Sequence, residues 1–348
     1  KHRTRSSDAP TVETTPTGAS VMVYHLERYL PIFSYRYFQT KGIDAKNNYE
    51  AFYPNSTWTG DDGFNVSNAS VKEYGIIANN GYIHAVDRVV EPLETIYTEL
   101  KNKEKYSTFL DLYDSFGVYV ADDELSKSYA KAYGVDTLYQ YQHGGLPNIA
   151  CEWPTSSYLN FTALTALSYS IFAPSNTAIN SFFDSFWKIG GYSSMQEVDA
   201  LALNYFLYQF IYGGSMLFPE ELGDDELKNL AGSSLNINPA ALNEKTMCVN
   251  GALYGMDEIK EPSTFASVIG PLFQYKSARS FLYALLGSSL FSSYVSDLSK
   301  YIVLVPTAEQ FEASGIRTVY STQGLEAEGD DGWAEISNTA KQNIVYLH

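Results

Sequence analysis

Apolar and polar positions run in the same order at two places in this chain. Residues 80–92 read Asn-Gly-Tyr-Ile-His-Ala-Val-Asp-Arg-Val-Val-Glu-Pro, and residues 250–262 read Asn-Gly-Ala-Leu-Tyr-Gly-Met-Asp-Glu-Ile-Lys-Glu-Pro. The shared skeleton places Asn80 with Asn250, Gly81 with Gly251, His84 with Tyr254, Asp87 with Asp257 and Pro92 with Pro262. Asn-Gly favours the positive φ angles of a tight hairpin turn. The alternating apolar residues then predict a strand with one face on a core, closed by Pro where a backbone N–H is no longer needed. Repetition of this kind predicts a chain built from copies of one domain.

A second pattern also occurs twice. Tyr169-Ser170-Ile171-Phe172-Ala173-Pro174-Ser175-Asn176 is echoed by Tyr301-Ile302-Val303-Leu304-Val305-Pro306-Thr307-Ala308. Each predicts a short apolar strand ending at Pro, followed by a helix whose N-terminus the Ser or Thr caps. Ile179, Phe182 and Phe183 mark the first of these helices, and Phe311 marks the second. Phe109-Leu110-Asp111-Leu112 predicts a further helix, and the alternation Tyr139-Gln140-Tyr141-Gln142 predicts a strand with one aromatic face.

The two boxes together, Phe172-Ala173-Pro174-Ser175-Asn176 and then Asn250-Gly251 with Asp257, resemble the paired signature of the fasciclin-type domain. That family carries a Tyr-His pair between its boxes, and Tyr24-His25 matches it. The second copy departs from the pattern with Tyr205-Phe206, and a third version reads Tyr346-Leu347-His348. The resemblance implies an α+β fold: a wedge of two small sheets with helices packed over one side, repeated in tandem. It places the second half of one domain at residues 21–92, a complete domain at 93–262 and the first half of another at 263–348. Either the two halves are completed by a longer chain, or they combine into one domain permuted around the intact one. Residues 1–20, rich in Ser, Thr and Pro, are expected to form a disordered lead or linker. In the complete domain about forty residues, at roughly 118–165, are expected to be an insertion relative to the family.

Composition narrows the function class. With 45% hydrophobic and 18% charged residues, the chain has enough apolar material for folded cores. The formal net charge of -17 argues against nucleic acid and against simple electrostatic docking to an anionic membrane. No run of apolar residues is long enough to predict a transmembrane helix, and no signal peptide is evident. The 29 tyrosines suit binding surfaces, since each ring pairs a flat apolar body with a polar tip. A Tyr-rich, acidic chain with fasciclin-type repeats is similar to surface lipoproteins of Gram-negative bacteria. The implied role is non-enzymatic adhesion to a protein or glycan partner at the cell surface, anchored at an outer membrane. The alternative is an accessory lipoprotein subunit of an outer-membrane nutrient-uptake transporter.

Tyr139, Tyr141, His143 and Trp153 are the candidate partner- or glycan-binding residues, with inward packing of the same aromatics as the competing reading. Tyr24, His25, Asn80, Gly81, His84, Asp87, Pro92, Phe172, Pro174, Asn176, Asn250, Gly251, Asp257 and Pro262 are expected to be structural. No catalytic residue, cofactor site or metal site is expected. Asp122-Asp123-Glu124 and Asp224-Asp225-Glu226 read as helix starts, and Asp61-Asp62-Gly63 and Asp330-Asp331-Gly332 as turns, rather than as calcium loops. His143-Gly144-Gly145 lacks the nucleophile elbow that an oxyanion loop would serve. Cys151 and Cys248 have no ligand-spaced partners, and a bridge between them is not the favoured reading. Glycosylation sequons at Asn55, Asn65, Asn68 and Asn160 would matter only in a eukaryotic secretory setting.

Overall fold

The computed structural model describes residues 2–7, 11–23, 27–150, 168–224, 226–235, 237–295 and 300–348. Tyr24, His25, Cys151, Trp153, Asn160 and Asp225, and with them part of the expected insertion, lie outside the described residues. The fold is mixed α+β, made of small sheets and short helices. It divides into two compact units: Lys1–Asn176 with Phe210–Leu230 and Ser234–Asp257, and Thr177–Gln209 with Ala231–Ser233 and Glu258–His348. Residues 93–262, expected as one continuous domain, therefore contribute to both.

In the first unit, β1 (His2–Ser7) pairs antiparallel with β4 (Glu27–Leu30). Strands β2 (Thr11–Thr14) and β3 (Ser20–Val23) form a hairpin. The stretch expected to be a disordered lead is thus largely extended and paired. Its Thr and Val residues are β-formers, and Gly18 at φ +82° allows the turn between β2 and β3. A second sheet runs β5 (Ile32–Phe33), β6 (Asn65–Val66), β7 (Ala69–Ala78), β8 (Gly81–Val86) in that order. Between β5 and β6 lie α1 (Tyr35–Lys41) and α2 (Ala45–Phe52), the latter capped by Asp44. Phe33, Phe38, Tyr49 and Trp58 are buried there, with Phe38 and Phe218 in edge contact at 5.0 Å.

Helices α3 (Ile96–Lys101) and α4 (Ser107–Asp114) lead into β9 (Gly117–Ala121). Next come α5 (Asp123–Tyr129), whose N-cap Asp122 accepts from Leu125 N at 2.9 Å as expected, and β10 (Tyr139–His143). Strand β10 pairs antiparallel with β9 along its whole length, so the Tyr-Gln alternation is a strand. The last sheet has β11 (Tyr169–Pro174) between β12 (Ile211–Tyr212) and β14 (Gly251–Met256), with β13 (Leu242–Cys248) outside β14. All six residues of β14 are buried. That burial on both faces explains its nearly unbroken apolar sequence.

The second unit holds α6 (Asn176–Ser185, the residues after Asn176), α7 (Ala200–Tyr208), α8 (Ser263–Ala266), α9 (Gly270–Gln274) and α10 (Arg279–Leu286). Its core is aromatic: Trp187, Phe206, Phe265 and Phe273 are buried, and Trp187 Nε1 donates to Phe273 O at 3.1 Å. Helix α11 (Phe291–Val295) and α12 (Ala308–Ala313) follow. The meander β15 (Ile316–Val319), β16 (Gly324–Gly329), β17 (Gly332–Glu335) and helix α13 (Asn338–Tyr346) complete the unit. Thr307 caps α12 through a reciprocal box with Gln310, as expected from its place after Pro306. Residues 301–306, expected as a strand, belong to no strand. Asp224 also departs from expectation: it closes a turn by accepting from Glu226 N at 2.9 Å and starts no helix. Among the described residues no helix is long and apolar enough to cross a membrane.

Candidate functional site

The predicted aromatic face of β10 is real, but it is turned onto a carboxylate. Tyr141 Oη donates to Asp114 Oδ1 at 2.9 Å, Tyr97 Oη donates to Oδ2 at 3.2 Å, and His143 Nε2 lies 3.0 Å from Oδ1. The rings of Tyr97, Tyr113, Tyr119 and Tyr141 crowd around one another and His143. Gly117, opposite His143 on β9, makes this possible, since a Cβ there would fall 2.0 Å from Tyr141 Oη. Burial first, and then the Asp114 charge, push the Tyr97 and Tyr141 phenols well above the ordinary tyrosine range. They are fixed hydrogen-bond donors rather than bases. His143 is buried, and its Nδ1 is the sole buried side-chain nitrogen or oxygen without a partner among the described residues. Tyr141 and His143 therefore meet at Asp114, while Tyr139 is half-buried on the same strand and Trp153 lies outside the described residues. Asp114 carried no local sequence signal, because it ends an ordinary amphipathic helix.

The repeated box forms a hairpin both times, yet the two copies have different surroundings. In the second, Val249 and Asn250 make the turn between paired Cys248 and Gly251. Asn250 is fully buried: its Oδ1 accepts from Ile96 N at 2.9 Å and its Nδ2 donates to Ile149 O at 2.9 Å. Gly251 has φ +148°, and a Cβ would lie 2.0 Å from Tyr169 O on the neighbouring strand. Tyr254 stacks on Phe172 at 5.1 Å and donates to Leu217 O at 2.7 Å. Asn176 ties the opening box to α4, accepting from Thr108 N at 2.9 Å and donating to Glu104 O at 2.8 Å. Pro174 and Pro262 are buried, whereas Asp257 is exposed and paired with Lys105 at 2.8 Å.

In the first copy, Asn79 and Asn80 make the turn between paired Ala78 and Gly81. Asn80, His84 and Pro92 are exposed, and Gly81 does not take the positive φ that Asn-Gly suggested. Asp87 keeps a structural contact, accepting from Ser70 N at 2.8 Å. No strand pairs with the outer edge of β8 among the described residues. Every residue of β8 is exposed, and so is most of the outer half of β7. Tyr74 (58%), Ile77 (82%), Tyr82 (71%) and Ile83 (56%) present a large apolar surface. Sequence pattern alone predicted a buried face here, because it cannot report whether a neighbouring strand arrives.

Asn65 and Asn68 are buried, which removes them as glycosylation acceptors in the folded chain. Cys248 is a buried free thiol, pushed up by burial. Comparison with models of protein families and with curated proteins finds no match to this chain.

Proposed function

We propose that this chain is a non-enzymatic surface module built from fasciclin-type copies, and that it binds a protein partner along the β7–β8 hairpin. The carrying observation is that hairpin: two strands with exposed Tyr and Ile side chains and an edge that no strand pairs with among the described residues. A free strand edge beside aromatic and aliphatic side chains suits strand addition by another protein. It offers little to a small molecule, which needs a concave site. The tandem fasciclin reading draws support from each closing box forming a hairpin and each opening box leading into a helix, although only the first opening box is a strand. The setting this implies is the cell surface, with subunits of an outer-membrane assembly as the partners to look for.

Affinity capture from source membranes tests the reading. The chain and its Ile77→Glu/Tyr82→Glu variant are used side by side, with circular dichroism verifying the variant's fold. A stoichiometric partner held by the chain and lost by the variant is expected. Equal capture by both would move the binding site off the hairpin.

A further inference from the structure

The internal repeat identifies what β8 lacks. In the second copy, β14 is joined in parallel by β11, with Tyr169 opposite Gly251, Phe172 opposite Tyr254 and Pro174 opposite Met256. Transferred to the first copy, the closing box is β8 and the matching opening box is residues 301–306. The same register would set Tyr301 opposite Gly81, Ile302 opposite Tyr82, Val303 opposite Ile83 and Leu304 opposite His84. Both halves of this pair are unsatisfied in the same way. Among the described residues no strand pairs with the outer edge of β8, and residues 301–306 are outside any strand, with Ile302 91% and Leu304 64% exposed.

Hydrogen bonding in the intact copy shows which backbone groups the pairing uses. Tyr169 N donates to Asn250 O at 3.0 Å and Ser175 N to Met256 O at 2.8 Å, so the odd-numbered amides of β11 face β14. Phe172 N points the other way and donates to Phe210 O at 2.9 Å. Leu304 is the counterpart of Phe172, and its N–H donates to His348 O at 2.8 Å. The amide already bonded in residues 301–306 is thus one that strand addition does not need. The counterparts that would face β8 are the amides of Tyr301, Val303 and Val305. Thr307 N is held by Gln310 Oε1 in the helix cap and contributes nothing.

We infer that residues 301–306 of a second copy of this chain add to the free edge of β8 as a parallel strand, in the register of β11 on β14. This rests on the partner-binding reading above and names the partner as the chain itself. Every copy carries both the bare edge and the matching strand, so each copy can give one and receive one. A reciprocal pair would make two such additions and cover Tyr82, Ile83, Ile302 and Leu304, whereas a single addition would bury less than the roughly 1,200 Å² at the lower end of specific interfaces.

Cross-linking between separately labelled chains tests this in the full-length protein, with Cys151 and Cys248 replaced by Ser and Ala. Ile83→Cys is made in one chain and Val303→Cys in another, and the two are mixed under mild oxidation. Directly opposed residues fall within disulfide reach. Ile83→Cys with Leu304→Cys is the control, since a one-residue slip sends the side chain to the other face. A mixed disulfide dimer is expected, several-fold more abundant than with the control pair, together with a concentration-dependent rise in mass by sedimentation. No mixed dimer and a monomer at all concentrations would overturn the inference. So would an Ile83→Cys/Val303→Cys double variant that closes within one chain at high dilution. The two readings fail separately: loss of membrane capture by Ile77→Glu/Tyr82→Glu without any mixed dimer leaves a foreign partner and removes the self-pairing.

Discussion

Truncating the repeated asparagine should be costly in one copy and nearly neutral in the other. Asn250→Ala removes the acceptor for Ile96 N and the donor to Ile149 O, and Ile96, Ile149 and Asn250 are all fully buried. Water cannot replace either bond without opening the packing around the turn. An unsatisfied buried backbone group costs about 1–3 kcal/mol, so the pair is worth about 2–6 kcal/mol. The equivalent change at Asn80 touches an exposed turn and should stay within about 0.5 kcal/mol of the parent. Urea unfolding followed by circular dichroism gives the overall loss. Because the chain has two units, hydrogen exchange of peptides across residues 242–257 should accompany it, to place the loss at this sheet. Asn250→Ala at parental stability, or the same loss from Asn80→Ala, would refute the argument that burial of the turn separates the copies.

Three further outcomes follow from the same contacts. Gly251→Ala should disrupt the β11–β14 pairing and cost more than about 3 kcal/mol, because its Cβ would sit 2.0 Å from Tyr169 O, while Gly81→Ala meets nothing within 4 Å and should be nearly neutral by urea midpoint. Asp257→Ala should cost less than about 1 kcal/mol, as its pairing with Lys105 is exposed, and a larger loss in the same melt would support the structural role expected from the sequence. Burial alone would raise the Glu244 carboxyl, but hydrogen bonds from Lys103 and Tyr106 outweigh it and hold it below the ordinary glutamate range. With the folded value depressed, this contribution is present above the ordinary range and is lost as pH falls through the folded value. Glu244→Gln should therefore flatten the acid limb of urea midpoints taken from about pH 7 to about pH 3.

Much of the local structure was legible because its causes are local. The hairpins follow from alternation around Asn-Gly, the α5 cap from Asp122 and the α12 box from Thr307 and Gln310. What escaped depends on neighbours far away in sequence. Gly251 is required less by a turn type than by the backbone of Tyr169, eighty-two positions earlier, and nothing near Gly81 imposes the same demand. The Asp114 cluster escaped for a related reason: its three donors come from α3 and β10, and only the fold gathers them around one carboxylate. The extended lead was misjudged because Ser, Thr and Pro content says little about whether a pairing strand is at hand.

The composition of β8 bears on whether its bare edge is a free surface or a seat. Strands that remain at a sheet edge commonly carry Lys, Pro or an inward charge that blocks a further strand. The sequence Gly81-Tyr82-Ile83-His84-Ala85-Val86 has no Lys, Arg, Asp, Glu or Pro. The equivalent β14 also lacks charge, and there the reason is plain, since β11 and β13 flank it and all six of its residues are buried. A β8 evolved to stay free would be expected to differ from β14 by at least one such blocking residue. It differs instead by having Tyr82, Ile83, His84, Ala85 and Val86 where β14 has Ala252, Leu253, Tyr254, Gly255 and Met256, which enlarges the side chain at the first position, keeps an aliphatic residue at the second and an aromatic ring at the third, and adds no blocking charge. Under the strand addition inferred above, Ile83→Lys should therefore abolish the concentration-dependent rise in mass by sedimentation while leaving the β7–β8 hairpin intact.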